Sequence, residues 1–139
     1  MSQEKVEVVR RIFETFQAGM QGDDPGSWLD PEAVADDFEW IAPTPLDGRS
    51  VWRGADGFVE FLRTWTEQFD EWSIRVERLI DAGEDRVVAL TSQSATGEGS
   101  GVPVEMKRGH VYELENGRVL RVRNYFSHSE AREAAGLSE

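Results

Sequence analysis

The sequence of 139 residues contains no cysteine, so it can form neither a disulfide bond nor a thiolate metal site. It has two histidines, His110 and His128, which lie apart in the sequence. Together they make no recognisable set of metal ligands. We therefore predict that the protein binds no metal and works without a cofactor.

Long hydrophobic segments are also missing. No apolar run approaches the roughly 20 residues that a membrane-spanning helix needs. The first residues are charged and amphipathic, and they contain no hydrophobic segment of the kind found in a signal peptide. We expect a cytoplasmic protein that does not bind a membrane.

Positive charge is scarce relative to negative charge. The sequence has 15 lysines and arginines against 27 aspartates and glutamates, which gives a net charge of −12 at pH 7. Such a surface repels the phosphate backbone of nucleic acids, and no stripe of basic residues alternates with aromatic ones. We therefore expect no nucleic-acid partner and attribute the acidity to solubility.

Large apolar residues, by contrast, are abundant. Hydrophobic residues make up 39% of the sequence, and they include five tryptophans and seven phenylalanines. A chain of this length can bury one hydrophobic core, so we treat residues 1–139 as a single domain. The aromatic residues exceed what such a core needs, which indicates an apolar cavity.

Three segments of the first half have the periodicity or the boundary residues of helices. Apolar residues spaced three and four apart predict an amphipathic helix over residues 3–20. The segment Asp30-Pro31-Glu32 is typical of a helix start and predicts a short second helix that ends near Asp36. A third helix follows Gly54 and is defined by Phe58, Phe61, Leu62, Trp65 and Phe69.

The second half has the alternation of β-strands. Apolar and polar residues alternate from Glu71 onward, and Asn116-Gly117 is typical of a type I′ hairpin turn. Ser127 and Glu130 then form a capping box before a short C-terminal helix. We predict an α+β fold in which three N-terminal helices pack in a curved antiparallel sheet. Its last four strands form a consecutive meander, and the whole is a cone-shaped α+β barrel with an apolar interior.

Several short segments occur in an order and spacing that match a known family. They are Val34-Ala35-Asp36-Asp37-Phe38-Glu39-Trp40, Trp52-Arg53-Gly54, Ser100-Gly101-Val102-Pro103-Val104, Asn116-Gly117-Arg118-Val119, Arg123-Asn124-Tyr125-Phe126 and Glu130-Ala131-Arg132-Glu133-Ala134-Ala135-Gly136-Leu137. Over its whole length the chain resembles the nuclear-transport-factor-2-like (NTF2-like) superfamily, and in detail its SnoaL-like branch, named for a polyketide cyclase. Because this family includes cyclases, isomerases, epoxide hydrolases and non-catalytic binders, the resemblance implies a fold more than a function.

The usual catalytic carboxylates of this family are missing from their usual positions. In the alignment that the resemblance implies, Ala42 takes the place of the catalytic aspartate of ketosteroid isomerases, and Phe13 or Phe16 that of a tyrosine. Asn124 takes the place of an aspartate that related epoxide hydrolases carry in their last strand. Asn124 can orient a water molecule or a carbonyl group, but it cannot act as a base near neutral pH.

His110 and Asn124 are the candidate catalytic residues. His110 lies in phase with Tyr112 and Leu114, so its side chain is predicted to point inward. Its unperturbed pKa of about 6.5 would let it act as an acid or a base. Asn124 lies on the apolar face of the last strand with Val122. The alternative is structural, with His110 as a hydrogen-bonded core or interface residue and Asn124 as a satisfied amide.

Flat apolar side chains are predicted to hold a ring-bearing ligand. These ligand-binding candidates are Trp40, Trp65, Phe16, Tyr112 and Phe126. Aromatic residues at helical spacing more often form plain core, which is the alternative for Phe16 in particular.

Three arginines and a tyrosine are assigned to the outside of the sheet. Arg108 shares the phase of His110, and inside the cavity it would favour an anionic or enolising substrate; we predict that it points outward at a bulge instead. Arg121, Arg123 and Tyr125 are expected on the outer face of the last strand. There they could support a homodimer through the sheet face, as the resemblance implies.

Two functions remain open at this point. The first is an isomerase, cyclase or hydrolase that performs acid–base chemistry on an apolar, ring-bearing small molecule. The second is a non-catalytic protein that binds a hydrophobic ligand after losing the carboxylates, and a protein adaptor ranks behind both. If His110 is catalytic, its replacement by alanine should abolish turnover and leave thermal stability nearly intact.

Overall fold

The computed structural model describes residues 2–20, 29, 31–46, 48–97, 99 and 101–137. No helix within these residues is long and apolar enough to cross a bilayer. The elements, in chain order, are α1 (Ser2–Met20), a 3-10 turn (Pro31–Ala33), β1 (Val34–Leu46), β2 (Arg49–Arg53), α2 (Gly54–Thr66), β3 (Phe69–Asp81), β4 (Arg86–Gly97), β5 (Pro103–Glu115), β6 (Arg118–Tyr125) and α3 (His128–Ala134).

The α+β class is confirmed, but the second predicted helix is shorter than expected. Residues 31–33 form a single 3-10 turn, and β1 begins at Val34. Val34 pairs with Val119 of β6 and is 3% exposed. Burial of this β-branched residue in a ladder outweighs the local helix-start signal. Asp30 itself lies outside the described residues.

The sheet has six strands in the order β2-β1-β6-β5-β4-β3. Strands β3 to β6 form the predicted antiparallel meander. The sheet as a whole is mixed rather than antiparallel, because β1 pairs in parallel with β6 and in antiparallel with β2. The sequence prediction missed this parallel pairing since it joins segments that are far apart in the chain.

The hairpin turn occurs where the pattern predicts it, and β3 contains a bulge. Asn116 and Gly117 have φ angles of 54° and 79°, as a type I′ turn requires. The β3–β4 register shifts between Val76 and Arg78, so Glu77 is the extra residue. Next to this bulge, His128 Nε2 donates to the carbonyl oxygen of Thr91 at 3.0 Å.

The inner face of the sheet packs against α1 and α2. The buried core there contains Val9, Ile12, Phe13 and Phe16 of α1, Phe58, Phe61 and Leu62 of α2, and Phe38, Trp52, Val87, Ala89 and Val122 of the sheet. These residues come from both helices and from most strands, and the sheet curves around the helices. This is the cone that the sequence predicts.

The C-terminal helix α3 begins as the capping pattern predicts. Ser127 Oγ accepts a hydrogen bond from the Glu130 N–H at 3.1 Å. Glu130 Oε1 accepts one from the Phe126 N–H at 3.1 Å, one residue before the N-cap. Gly136, with φ of 78°, follows the last turn.

Gly109 allows α3 to lie against the outer face of the sheet. A Cβ atom built at Gly109 would overlap the Ala131 side chain and lie 2.8 Å from the Ser127 carbonyl oxygen. Around this contact, Ala131 and Ala135 pack on Val88, Leu90 and Val111. The missing side chain at position 109 therefore sets how closely the helix approaches.

Replacing Gly109 by alanine is expected to lower the free energy of unfolding by about 1–3 kcal/mol, because the helix must shift to admit a methyl group. Chemical denaturation measures this loss. The double variant Gly109→Ala, Ala131→Gly removes one of the two overlaps and should recover part of it. Unchanged stability of the single variant would contradict the close packing of α3.

Candidate functional site

An apolar cavity of about 150 Å³ lies between the two N-terminal α-helices and the inner face of the sheet. Its wall includes residues from α1, α2 and all six strands except β2. A dry cavity of this size lined by aliphatic and aromatic side chains can hold one benzene-sized ring. The hollow is smaller than most drug-binding pockets, so a larger ligand would extend through its open edge.

The structure brings all the residues proposed from the sequence to this cavity. They are His110, Asn124, Trp40, Trp65, Phe16, Tyr112 and Phe126. Their positions agree with the predicted inward phase of each strand. Their roles in catalysis or in ligand binding stay predictions.

Trp40 forms a flat part of the cavity wall. Its ring centroid lies 4.8 Å from that of Phe58 and 5.4 Å from that of Phe61. It also lies 6.4 Å from the His110 ring, with the two planes inclined by 34°. The buried indole Nε1–H of Trp40 has no hydrogen-bond partner within the described part of the chain.

A chain of hydrogen bonds crosses four strands at the cavity. Thr91 Oγ1 on β4 lies 2.8 Å from His110 Nε2 on β5, and His110 Nδ1 lies 2.5 Å from Asn124 Oδ1 on β6. Asn124 Nδ2 donates to the Ile41 carbonyl oxygen of β1 at 2.7 Å. We call this series the polar chain: Thr91, His110, Asn124 and the carbonyl of Ile41.

The polar chain fixes the tautomer of His110. Because the amide nitrogen of Asn124 is used by Ile41, its oxygen faces His110 and requires a donor at Nδ1. Nε2 is then the acceptor for the hydroxyl of Thr91. Both ring nitrogens are therefore engaged with the protein, and a ligand would have to displace one of these contacts to exchange a proton with His110.

Burial keeps His110 neutral. Its side chain is 4% exposed, and desolvation lowers its pKa from 6.5 to about 4, although the hydrogen bond to Asn124 acts in the opposite direction. The positive charge of Arg108 lowers it further. At neutral pH the imidazole is uncharged, so it can accept a proton only weakly. Burial likewise raises the pKa of the Tyr112 phenol, which remains protonated.

Carboxylates are absent from the described cavity wall. None of its described residues is an aspartate or a glutamate, although the chain contains 27 of them. Ala42 lines the cavity with 8% exposure, at the place where the resemblance to isomerases leads one to expect an aspartate. Elsewhere in the described ranges, no three histidine, aspartate or glutamate side chains come together in a way that could hold a metal ion.

The sequence does not predict Trp72, Gln93 or Arg108 as cavity residues. Trp72 and Gln93 both line it, and Trp72 Nε1 donates to Gln93 Oε1 at 3.0 Å. Alternation along β3 and β4 could have identified both. Arg108 was assigned to the outside, but it is half-buried in the cavity wall. Its strand stays in phase from Arg108 to His110, so no bulge turns the side chain outward.

The outer face of the sheet carries a ladder of ion pairs. Arg121 Nε and Nη1 lie 3.0 Å from Glu39 and 2.8 Å from Glu113, and Arg123 Nε lies 3.1 Å from Glu113. Arg53 also pairs with Glu39. The two arginines of β6 thus lie outside, as expected, and their charges are compensated within the chain. A homodimer through this face stays a prediction.

Tyr125 is less available than the sequence suggests. It is half-buried against the cluster of Val88, Leu90 and Val111 that also holds α3. Its ring therefore supports the C-terminal helix.

Comparison with known proteins agrees with this architecture. A family model described as the SnoaL-like domain matches residues 9–122. No curated protein matches the chain significantly.

Solved structures with the same fold cover nearly the whole chain. An NTF2-like protein of unknown function from Burkholderia pseudomallei is 23% identical with a TM-score of 0.73, covering 94% of this chain and 95% of its own. A putative SnoaL-like polyketide cyclase from Jannaschia sp. CCS1 is 21% identical with a TM-score of 0.71, covering 99% and 94%. TerC, co-crystallised with polyporic acid, is 18% identical with a TM-score of 0.70, covering 96% and 98%. At these identities the similarity shows the fold alone.

Proposed function

We propose that this chain, which belongs to the SnoaL-like domain family, binds a small apolar molecule with at least one flat ring. The observation that carries the proposal is the cavity of about 150 Å³ that remains open between aromatic walls. Transfer of an apolar ligand from water to such a wall is favourable, and flat rings pack well against tryptophan and phenylalanine.

The arrangement of polar groups supports binding more strongly than catalysis. His110 is neutral and both of its ring nitrogens are engaged, while the described wall has no carboxylate to act as a base. The crystallisation of TerC with polyporic acid is a precedent for a small-molecule ligand of this fold.

A thermal-shift screen with single-ring and fused-ring aromatic compounds tests this function. A ligand present at one hundred times its dissociation constant should raise the free energy of unfolding by about 2.7 kcal/mol, since it binds the folded state alone. Absence of stabilisation across the whole set would overturn the proposal. Aliphatic compounds of similar hydrophobicity serve as the comparison, because the flat walls should favour rings.

Replacing Ala42 by leucine is expected to weaken ligand binding by at least about tenfold, because the added carbons enter the cavity. Thermal stability should stay equal or rise, since the larger side chain fills empty apolar space. Calorimetric titration with a ligand from the screen, together with a melting curve, measures both effects. Ala134→Leu, on the exposed side of α3, adds the same atoms without affecting affinity. Equal affinity of both variants would place the ligand elsewhere.

The second candidate function is acid–base catalysis through His110. It is favoured by the convergence of His110 and Asn124 on the cavity where a ligand would lie. Incubating the protein with each ligand from the screen, followed by mass spectrometry and NMR of the small molecule, distinguishes the two. A new product or an isomer that forms with time indicates an enzyme, whereas an unchanged ligand indicates a binding protein.

A further inference from the structure

Arg108 provides the single charged side chain in the described wall of the cavity. It lies on β5, two residues before His110, and it is half-buried. Its guanidinium carbon is 5.4 Å from the ring centroid of Phe126, which is 48% exposed and also lines the cavity. Arg108 and Phe126 thus lie in a partly solvent-exposed part of the cavity wall.

Arg108 has no carboxylate partner among the residues that the structure describes. Its Nη1 donates to the carbonyl oxygen of Lys107 at 3.0 Å and to that of Phe126 at 3.4 Å. By contrast, Arg121 and Arg123 on the outer face are compensated by Glu39 and Glu113. In a chain with 27 acidic residues, Arg108 is therefore half-buried without an acidic neighbour among the described residues.

The remaining donors of Arg108 are arranged to receive an anion. Both carbonyl contacts use Nη1, which leaves the N–H groups of Nη2 and Nε as a planar fork suited to two oxygens of a carboxylate. Desolvation by burial lowers the pKa of Arg108, so its charge is less stable here than in water. A bound anion would offset this cost.

We infer that the ligand of this cavity carries one negative charge, such as a carboxylate or an enolate, which pairs with Arg108 while an apolar ring occupies the hollow. This inference rests on the proposed function and names its ligand class. One charge is expected because His110 is neutral and Arg108 is the lone cation of the described wall. The net charge of −12 would repel anions in general, so Arg108 provides the local selectivity.

Calorimetric titration with matched probes tests the inference. The probes are benzoate, phenylacetate and 3-phenylpropionate, each beside its uncharged primary amide, at low ionic strength. We expect at least one carboxylate to bind wild-type protein about tenfold or more tightly than its amide, as a charge-assisted pair allows. Arg108→Gln should abolish this preference, and Arg108→Lys should restore part of it.

The control variant is Arg63→Gln, which removes the same charge from an exposed position of α2 that does not line the cavity. It should retain the preference. Melting curves of every variant establish that each is folded, so that a lost preference reports binding.

The outcomes distinguish failure of the anion inference from failure of the proposed function. Equal binding of carboxylate and amide by the wild type, or a preference that survives Arg108→Gln, overturns the anion inference and leaves the apolar pocket intact. Failure of all six probes to bind overturns the inference. If the aromatic thermal-shift screen also finds no ligand, the proposed function fails with it.

Discussion

Replacing His110 by alanine is expected to lower the free energy of unfolding by about 3–5 kcal/mol. The imidazole links Thr91 to Asn124, and its loss leaves the buried amide oxygen of Asn124 without its partner and the Thr91 hydroxyl with only the Arg108 carbonyl oxygen, at 3.3 Å. Loss of the imidazole also removes ring contacts with Phe13 and Trp40 and enlarges the cavity. Denaturant-induced unfolding at neutral pH measures the change.

This expectation differs from the one that the sequence suggested, in which His110→Ala leaves stability nearly intact. His128→Ala is a suitable comparison, because His128 is half-buried on the outer side and its ring makes one hydrogen bond within the described part of the chain, to the Thr91 carbonyl oxygen. It should cost about 1 kcal/mol. Equal stability of wild type and His110→Ala would mean that the polar chain contributes nothing to folding.

Stability is expected to fall by on the order of 3 kcal/mol between pH 6.5 and about 4 because of His110 alone. The pKa of this histidine is lowered from 6.5 to about 4 in the folded protein. Between these values the unfolded chain binds a proton that the folded chain excludes. The contribution is therefore complete above pH 6.5 and lost as the pH falls toward 4.

Urea denaturation of wild type and His110→Gln at a series of pH values measures this effect. The variant lacks the titrating imidazole, so its stability should decline less over the same range. Glu39 and Glu77 also have lowered pKa values, because of their contacts with Arg121 and Lys107, and they add a loss in both proteins below about pH 4.5. Parallel curves between pH 6.5 and 4.5 would contradict the burial of a neutral His110.

Elements with short-range signals could be predicted from the sequence. The positive φ angles at Asn116 and Gly117 and the cap formed by Ser127 depend on a few neighbouring residues, and each occurs where expected. The parallel pairing of β1 with β6 depends on segments about 80 positions apart, such as Ile41 and Arg123. No local pattern encodes this parallel pairing. The same pairing places the end of the second predicted helix in strand β1.

The sequence predicts which side chains face the cavity, but it does not predict the hydrogen bonds that they make there. Two-residue alternation places His110 and Asn124 on the inner face, since a strand reverses its side chains at each step. It does not reveal that Thr91 and Ile41 complete their hydrogen bonds, because partners across strands depend on register. The sequence predicts that Arg108 points outward at a bulge, whereas the unbroken register of β5 keeps it in phase with His110 in the cavity wall.

Thr91 connects the two sides of the sheet. Its hydroxyl hydrogen-bonds with His110 at the apolar cavity, whereas its carbonyl oxygen accepts a hydrogen bond from His128 at the start of α3. Helix α3 and the apolar cavity are thus connected through two hydrogen bonds of Thr91, although the β-sheet separates them. Displacement of this helix would therefore remove a hydrogen bond from the same threonine that contacts His110, so the packing of α3 and the wall of the cavity share one residue.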